Sequence, residues 1–213
     1  MTDHTPVTLF GESHWDSPFV FTAVVALEEK RVPYEVVPFD LDKKEHLANE
    51  AFVRGSLTER VPAIRHGGFW LSESSAIVEY LEEIFPIPKH DPLLPEGPWE
   101  RARARQVMAW LRSDLYGLRE DRPTTTMFYE RATAPLSSKG RAAADKLIRV
   151  TEALLPSTGA PPFGVNFCLA DADLSFMLHR LILNGDDVPP RVRAYAEKHW
   201  ARPSVQVFVR HAR

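Results

Sequence analysis

The sequence predicts an α/β domain followed by an all-α domain. Strand-like and helix-like apolar patterns alternate from Val7 to Phe85. The stretch FPIPKHDPLLPEGP that follows carries five prolines and has the character of a linker. Beyond it, every apolar pattern has the helical period. We therefore expect domains at residues 1–87 and 98–213, joined by a proline-rich linker at residues 88–97.

In the first half, the periodicity gives a strand, a helix, a second strand, a hairpin and a closing helix. Strands are predicted at Val7–Phe10, Tyr34–Phe39, Ala63–Arg65 and Phe69–Leu71, and helices at Pro18–Lys30 and Glu73–Phe85. Gly67-Gly68 supplies the hairpin turn, and Pro38 places the second strand at a sheet edge. The polar stretch from Leu41 to Arg60 predicts at most one loose helix.

The second half predicts helices only, among which the one beginning at Ala170 is apolar on most sides and forms the core. The predicted helices are Trp99–Glu120, Ser137–Leu155, Ala170–Leu183, Arg191–Lys198 and Ser204–Arg210.

Composition excludes several classes of function. The 213 residues carry a net charge of -3 with mixed signs along the chain, so we expect no nucleic-acid partner. No apolar run reaches the length of a membrane span, and the N-terminus lacks a signal-peptide pattern, which predicts no membrane partner and a cytoplasmic location. With one cysteine and no His-x-x-x-His pair among eight histidines, no metal site is expected.

Ser17-Pro18, in the stretch GESHWDSPFVF, stands where the first strand turns into the first helix. Serine at the N-cap and proline at the first helical position suit a helix start. The same place favours an anion, because free N–H groups and the helix dipole point to it. A thiol bound beside Ser17 would ionise more easily. Both interpretations, cap and thiolate partner, stay open together.

Two further pairs stand at strand ends. Val61-Pro62 enters the hairpin and is a candidate for a cis bond, which exposes backbone groups to an extended peptide; an ordinary loop proline is the alternative. Glu73 and Ser74 open the next helix. There a carboxylate suits an ammonium group, and a hydroxyl with free N–H groups suits a carboxylate, although an ordinary capping arrangement explains the same residues.

Taken together, these stretches resemble the glutathione S-transferase superfamily over essentially the whole chain. The resemblance is carried by WDSPFVF, RVPAI, LSESSAIVEYLEEIF and CLADADL. The Ser-Pro-Phe stretch is similar to the tau and omega classes, and the complete chain looks closest to a bacterial cytosolic group. The resemblance implies a thioredoxin-like N-terminal domain and a helical C-terminal domain.

The resemblance also implies a site for glutathione as co-substrate. Ser17 would hydrogen-bond the glutathione thiolate, and Val61, beside a cis Pro62, would pair with the cysteinyl backbone. Glu73 and Ser74 would hold the γ-glutamyl end. Arg60 stands where related classes place a lysine that helps to bind the peptide. Lys44 and His46 stay guesses, because the loop that holds them departs in length from the usual pattern.

This sequence departs from the family at two positions. Ser17 is not a cysteine, which disfavours mixed-disulfide chemistry there. Cys168 stands where the core helix usually has a serine or threonine three residues before Asp171; as a poor acceptor it would weaken the cap. We interpret Cys168 as a structural, partly buried residue.

The expected activity is transfer of the glutathione thiol, activated at Ser17, to a small hydrophobic electrophile. The electrophile pocket is expected to be lined by Trp15, Trp110, Tyr116 and Arg112. If Ser17 does not donate a hydrogen bond to the thiolate, Ser13 on the same loop is the alternative donor. Two alternatives stay open: reduction of hydroperoxides by the same thiolate, and a non-catalytic protein that binds glutathione or another ligand. The resemblance further implies a homodimer.

Overall fold

The computed structural model describes residues 5–212, which divide into two compact units. One unit runs to Leu93 and includes Val207–Ala212, and the other runs from Leu94 to Gln206. The first holds all four strands assigned in the described residues, and the second is helical. The predicted fold class, an α/β domain followed by an all-α domain, is confirmed.

The first unit is built on a four-stranded mixed sheet in the order β2-β1-β3-β4. Its strands are β1 (Val7–Glu12), β2 (Tyr34–Phe39), β3 (Ala63–His66) and β4 (Phe69–Ser72). β1 pairs parallel with β2 and antiparallel with β3, and β3 pairs antiparallel with β4 across the Gly67-Gly68 turn. β2 is an edge strand, as Pro38 predicted. β1 continues two residues beyond the predicted end and includes Glu12.

Between Thr5 and Leu93, four helices accompany the sheet. They are α1 (Pro18–Lys30), α2 (Glu45–Ala48), α3 (Glu50–Gly55) and α4 (Ser74–Ile84). The polar stretch that predicted at most one loose helix forms the two short helices α2 and α3. α1 and α4 are joined through Lys30, which is 1% exposed: its Nζ donates to Phe85 O at 2.8 Å and forms an ion pair with Glu82.

The sheet packs on an aromatic core that holds the end of β1 in place. Phe10, Phe39 and Phe52 are buried with their rings in mutual contact, and Trp70 stacks on Phe10 with ring centroids 4.9 Å apart. The close approach of Trp70 requires Gly55, because a Cβ there would lie 2.4 Å from the indole ring. This core fixes the strand from which the loop toward Ser17 departs.

From Leu94 onward, the described part of the chain forms seven helices, the last of which extends into the Val207–Ala212 segment. They are α5 (Pro98–Ser113), α6 (Tyr116–Asp121), α7 (Thr125–Phe128), α8 (Ser138–Leu154), α9 (Leu169–Ile182), α10 (Pro190–Trp200) and α11 (Pro203–His211). As predicted for the core helix, α9 is buried along most of its length. Within residues 5–212, no helix combines the length and the apolar character needed to cross a bilayer.

The prediction of a single helix from Trp99 to Glu120 is wrong. The chain breaks at Asp114, which is extended, and at Leu115, whose φ of 63° lies in the left-handed region. The Asp114 carboxylate stabilises the break: it accepts from Trp110 Nε1 at 2.8 Å and from the Leu115 N–H at 2.7 Å, and it pairs with Lys146. Apolar periodicity continued across the break and hid it.

Two buried histidines of the second unit are held neutral. His179 in α9 stacks on Trp200 with ring centroids 4.0 Å apart, and its Nδ1 hydrogen-bonds Ser175 O at 2.8 Å. Burial lowers the pKa of His179 to about 4 and that of His199 to about 4. The opposite shift occurs at Asp171, where burial raises the pKa to about 6.

These shifts predict that stability falls in acid. Each histidine contributes stability above its unfolded pKa of about 6.5, and this is lost as the pH falls toward about 4, whereas Asp171 partly offsets the loss. His179→Gln removes one histidine contribution, so we expect the drop in unfolding free energy between these pH values to shrink by on the order of 3 kcal/mol.

Urea unfolding of the wild type and of His179→Gln at a series of pH values measures this difference in the pH dependence of the unfolding free energy. The exposed His14→Gln is the matched control for loss of a histidine. An unchanged pH slope in His179→Gln would contradict the assignment of a neutral buried imidazole.

Candidate functional site

Three segments singled out by the sequence meet at one edge of the sheet, namely the edge that is formed by the ends of strands and not by the edge strand β2. Because β3 runs antiparallel to both β1 and β4, the end of β1, the start of β3 and the end of β4 lie side by side. The register aligns Phe10, Ala63 and Ser72 in one row across these strands. The segments beyond this row hold Ser17, Val61 and Glu73. The topology therefore gathers all three onto one edge of the first unit.

Ser17 caps α1, as predicted. Its side-chain oxygen accepts from the N–H groups of Phe19 and Val20, each at 3.3 Å, and Pro18 opens the helix. In both bonds the hydroxyl acts as acceptor, so its own hydrogen is not used by the cap. The side chain is half-buried at the helix N-terminus. A hydroxyl placed in this way can cap the helix and donate to an anion at the same time.

The Val61–Pro62 peptide bond is cis, as predicted. Val61 is half-buried and packs against the aromatic core, while Pro62 is buried. The preceding Arg60 is exposed at the same edge. The backbone groups of Val61 stand directly before β3, where an extended peptide would pair with a strand.

The start of α4 differs from the capping arrangement that was the alternative for Glu73 and Ser74. Glu73 occupies the N-cap position with no side-chain bond to the helix, and the first turn holds no acidic residue. Glu73 has φ 71°, a conformation that costs on the order of 1–3 kcal/mol in a non-glycine residue. Its carboxylate instead accepts from Thr58 Oγ1 at 3.1 Å. The first N–H groups of α4 therefore lack a capping side chain, beside the buried Ser74.

Thr58 belongs to a small network that orients this helix start. Its hydroxyl oxygen also lies 2.8 Å from Ser72 Oγ, so Ser72 and Glu73 share the one hydrogen of the Thr58 hydroxyl, and Ser72 Oγ donates to Ser56 O at 2.6 Å. These hydrogen bonds connect the loop before β3 to the end of β4, directly before Glu73.

Trp15 lies in the loop between β1 and α1 with φ 55°. One face of its indole stacks on His211, with ring centroids 4.2 Å apart, and Phe208 meets it edge-on at 5.6 Å. These two residues of the first unit therefore already cover part of the Trp15 side chain. Its role as a wall of the electrophile pocket stays a prediction.

The remaining residues predicted for that pocket lie in the second unit. Trp110 lines a groove of about 270 Å³ between α5 and α8, together with Val107, Val150 and Leu154. Tyr116 is exposed at the start of α6. Arg112 faces Asp173 with 3.7 Å between the charged atoms. Contact of these side chains with an electrophile stays a prediction.

Lys44 and His46, left as guesses, differ in their surroundings. Lys44 is exposed with φ 58° before α2. His46 is half-buried against the aromatic core, with its ring 6.4 Å from Phe39 and 6.3 Å from Phe52. This packing gives His46 a structural explanation.

The prediction that Cys168 is only partly buried is wrong, and the predicted capping pair with Asp171 is present. Cys168 is completely buried, and its N–H donates to Asp171 Oδ2 at 2.8 Å while its sulfur faces the N–H of Asp171, which completes a capping box. Tyr195 adds a hydrogen bond to Asp171 Oδ1 at 2.7 Å. Burial raises the pKa of the Cys168 thiol, so this sulfur is held as an unreactive structural group.

One grouping in the described residues has the composition of a cation site. His14, Asp40 and Asp42 place their ligand atoms within 4.8 Å of one another near the first unit's surface. Asp40 is already paired with Lys43, at 2.7 Å between the charged atoms. This cation competes directly with a metal ion.

Glu12 is the residue near Ser17 that sequence reasoning missed. It ends β1 with its side chain buried, and it accepts the N–H groups of Asp16 at 2.9 Å and Ser17 at 3.0 Å. The available signal was an acidic residue two positions after the apolar run Val7–Phe10. Ending the predicted strand at Phe10 placed it in a solvated loop instead.

Comparison with known families agrees with this architecture. The family model described as the glutathione S-transferase N-terminal domain matches residues 16–84, and that of the C-terminal domain matches residues 99–212. The chain belongs to the glutathione S-transferase superfamily. Among solved structures of the superfamily, a glutathione transferase homologue from Burkholderia with bound glutathione is 38% identical, with 97% of each chain covered and a TM-score of 0.77.

Curated glutathione S-transferases match a shorter part of the chain. Glutathione S-transferase U6 of Arabidopsis thaliana is 36% identical over 91 residues, which are 43% of this chain and 38% of the plant protein. The maleylacetoacetate isomerase of Dictyostelium discoideum is 34% identical over 107 residues, 50% of this chain and 48% of that protein. The matched segments thus span less than half of these relatives.

The cap geometry makes a prediction about stability in this glutathione S-transferase fold. Ser17→Ala removes the acceptor for two N–H groups of α1, so we expect it to lower the unfolding free energy by about 1 kcal/mol. Urea denaturation measures this loss. Ser13→Ala, an exposed serine in the same loop, is the matched control, and an equal loss in both variants would contradict a cap at Ser17.

Proposed function

We propose that this protein is a glutathione transferase that activates the glutathione thiol at Ser17 for attack on a small hydrophobic electrophile. The observation that carries the proposal is the joint placement of three features at one sheet edge. These are a hydroxyl at the N-terminus of α1, the Val61 backbone close before the start of β3 and the uncapped start of α4. The Burkholderia homologue with bound glutathione supports the choice of ligand.

The chemistry at Ser17 is stabilisation of a thiolate. A free thiol has a pKa of about 8.5 and is a few per cent ionised at neutral pH. Lowering that pKa by about two makes most of it thiolate, which corresponds to roughly 2.7 kcal/mol. The Ser17 hydroxyl hydrogen, left over from the cap, and the dipole of α1 together supply this stabilisation.

The rest of the tripeptide is held by the other two segments. The Glu73 carboxylate, oriented by Thr58, suits the ammonium group of the γ-glutamyl end. The free N–H groups of α4 and the Ser74 hydroxyl suit its carboxylate. Val61 offers its backbone to the cysteinyl unit, and Arg60 stands beside it. The ammonium group and the carboxylate of the γ-glutamyl end, a few ångströms apart, thus each have a partner of complementary charge or polarity at the start of α4.

The electrophile determines which reaction the thiolate performs. A panel with a chloro-nitro aromatic, an organic hydroperoxide and a mixed disulfide distinguishes conjugation from peroxide reduction and from thiol exchange. Isomerisation of a maleyl compound is added because maleylacetoacetate isomerases are among the relatives. Glutathione binding without turnover of any of these would contradict the proposed enzyme.

Ser17→Ala is expected to lower kcat/KM for conjugation roughly tenfold to a hundredfold, the value of a hydrogen bond to a charged group. Conjugation with a chloro-nitro aromatic, followed by absorbance, measures the rate. Ser13→Ala is expected to keep the wild-type rate. A loss in Ser13→Ala with none in Ser17→Ala would contradict the role of Ser17.

Glu73→Gln is expected to weaken glutathione binding about tenfold, because a charge-assisted contact to the ammonium group is lost. Isothermal titration with S-methylglutathione measures the affinity without turnover. Glu83→Gln, an exposed carboxylate at the far end of α4, is the matched control. Equal affinities in the wild type and Glu73→Gln would contradict the proposed orientation of the peptide.

We also propose that the protein is a homodimer, as the family resemblance implies. Light scattering is expected to give about twice the mass of the 24.2 kDa chain. A single-chain mass at micromolar concentration would contradict this part of the proposal.

A further inference from the structure

Glu12 is an acidic residue at the end of an otherwise buried strand. All six residues of β1 are buried, and Glu12 is 3% exposed. Taking a carboxyl group out of water is costly unless its oxygens are hydrogen-bonded. Its contacts therefore need an explanation in terms of structure or function.

Only one of the two carboxyl oxygens is used in the described residues. Glu12 Oε1 accepts from the N–H groups of Asp16 at 2.9 Å and Ser17 at 3.0 Å. Oε2 is buried without a hydrogen-bond partner. An unpaired buried oxygen costs folding free energy, so Glu12 does not serve stability alone. In agreement, burial raises the pKa of this carboxyl.

The two bonds complete the cap of α1 in an unusual way. In a capping box, the side chain at the third helical position accepts the N–H of the capping residue. α9 follows this rule, with Asp171 accepting the N–H of Cys168 at 2.8 Å. In α1 the third position is Val20, which has no acceptor. Glu12 supplies the missing acceptor from the preceding strand.

We propose that Glu12 is a positioning residue for Ser17. By fixing the two N–H groups directly before α1, its carboxyl sets where the Ser17 hydroxyl points and so where a bound thiolate finds its donor. The inference rests on the proposed function of Ser17. Glu12 is assigned no contact with glutathione or with the electrophile. It acts through the backbone of the capping residue Ser17.

The position of a catalytic hydroxyl matters because a displacement of about 1 Å can cost on the order of a hundredfold in rate. Loss of Glu12 frees the loop between β1 and α1 without removing any group assigned to the peptide. The effect should therefore appear in kcat and leave the affinity for a glutathione analogue in place.

The test compares Glu12→Ala with Glu12→Gln. Alanine removes the acceptor, so we expect kcat for conjugation to fall roughly tenfold or more. Glutamine keeps the acceptor oxygen, and we expect it to retain kcat within about threefold of wild type. Affinity for S-methylglutathione is expected to stay within about twofold in both variants. Glu35→Ala removes a carboxyl on β2 that bonds Thr8 of β1, and serves as the matched control.

Amide hydrogen exchange gives a second measurement that needs no turnover. In Glu12→Ala we expect exchange at the Ser17 N–H to accelerate at least about tenfold, and in Glu12→Gln to stay near wild type. Wild-type kcat in Glu12→Ala would overturn the proposal, as would an equal loss in the alanine and glutamine variants. An inactive wild-type protein would instead overturn the proposed function, so the two failures are distinguishable.

Discussion

The antiparallel pairing of β3 with β1 and β4 is the constraint on which the candidate site depends. It places three chain segments, far apart in sequence, at one edge of the sheet. The aromatic core around Phe10 and Trp70 prevents this register from slipping, since a shift of one residue would turn the buried rings to the other face. The network from Thr58 to Ser72 fixes the loop that carries Val61 to the same edge.

The two helices that start at this edge differ in their N-terminal capping. α1 is capped by Ser17 and supported by Glu12, so its N-terminus presents one oriented hydroxyl. Glu73, the N-cap residue before α4, has a strained conformation and makes no side-chain cap, so the first N–H groups of α4 remain available to a ligand. This difference suits a molecule that carries a thiol and, some distance from it, an ammonium group beside a carboxylate. The strain at Glu73 is consistent with a position kept for function.

Much of the architecture could be predicted, because apolar periodicity, Gly67-Gly68 and Pro38 report local preferences directly. The cap at Ser17 and the segments at the sheet edge were also readable from residue types. The break at Asp114 and Leu115 was not, since a partner from α8 stabilises it. The support from Glu12 was missed for a related reason. Its side chain satisfies a backbone group whose need for an acceptor appears only once the chain is folded.

We propose that the hydroxyl at residue 17 binds the cysteinyl sulfur of glutathione and that the helix start at residues 73 and 74 binds the γ-glutamyl end of the same molecule. A crystal structure of the protein with glutathione tests this most directly. We expect the sulfur within hydrogen-bond distance of Ser17 Oγ, about 3.5 Å, and the γ-glutamyl group at Glu73 and Ser74. A sulfur that points away from α1, or an amino end far from Glu73, would contradict it.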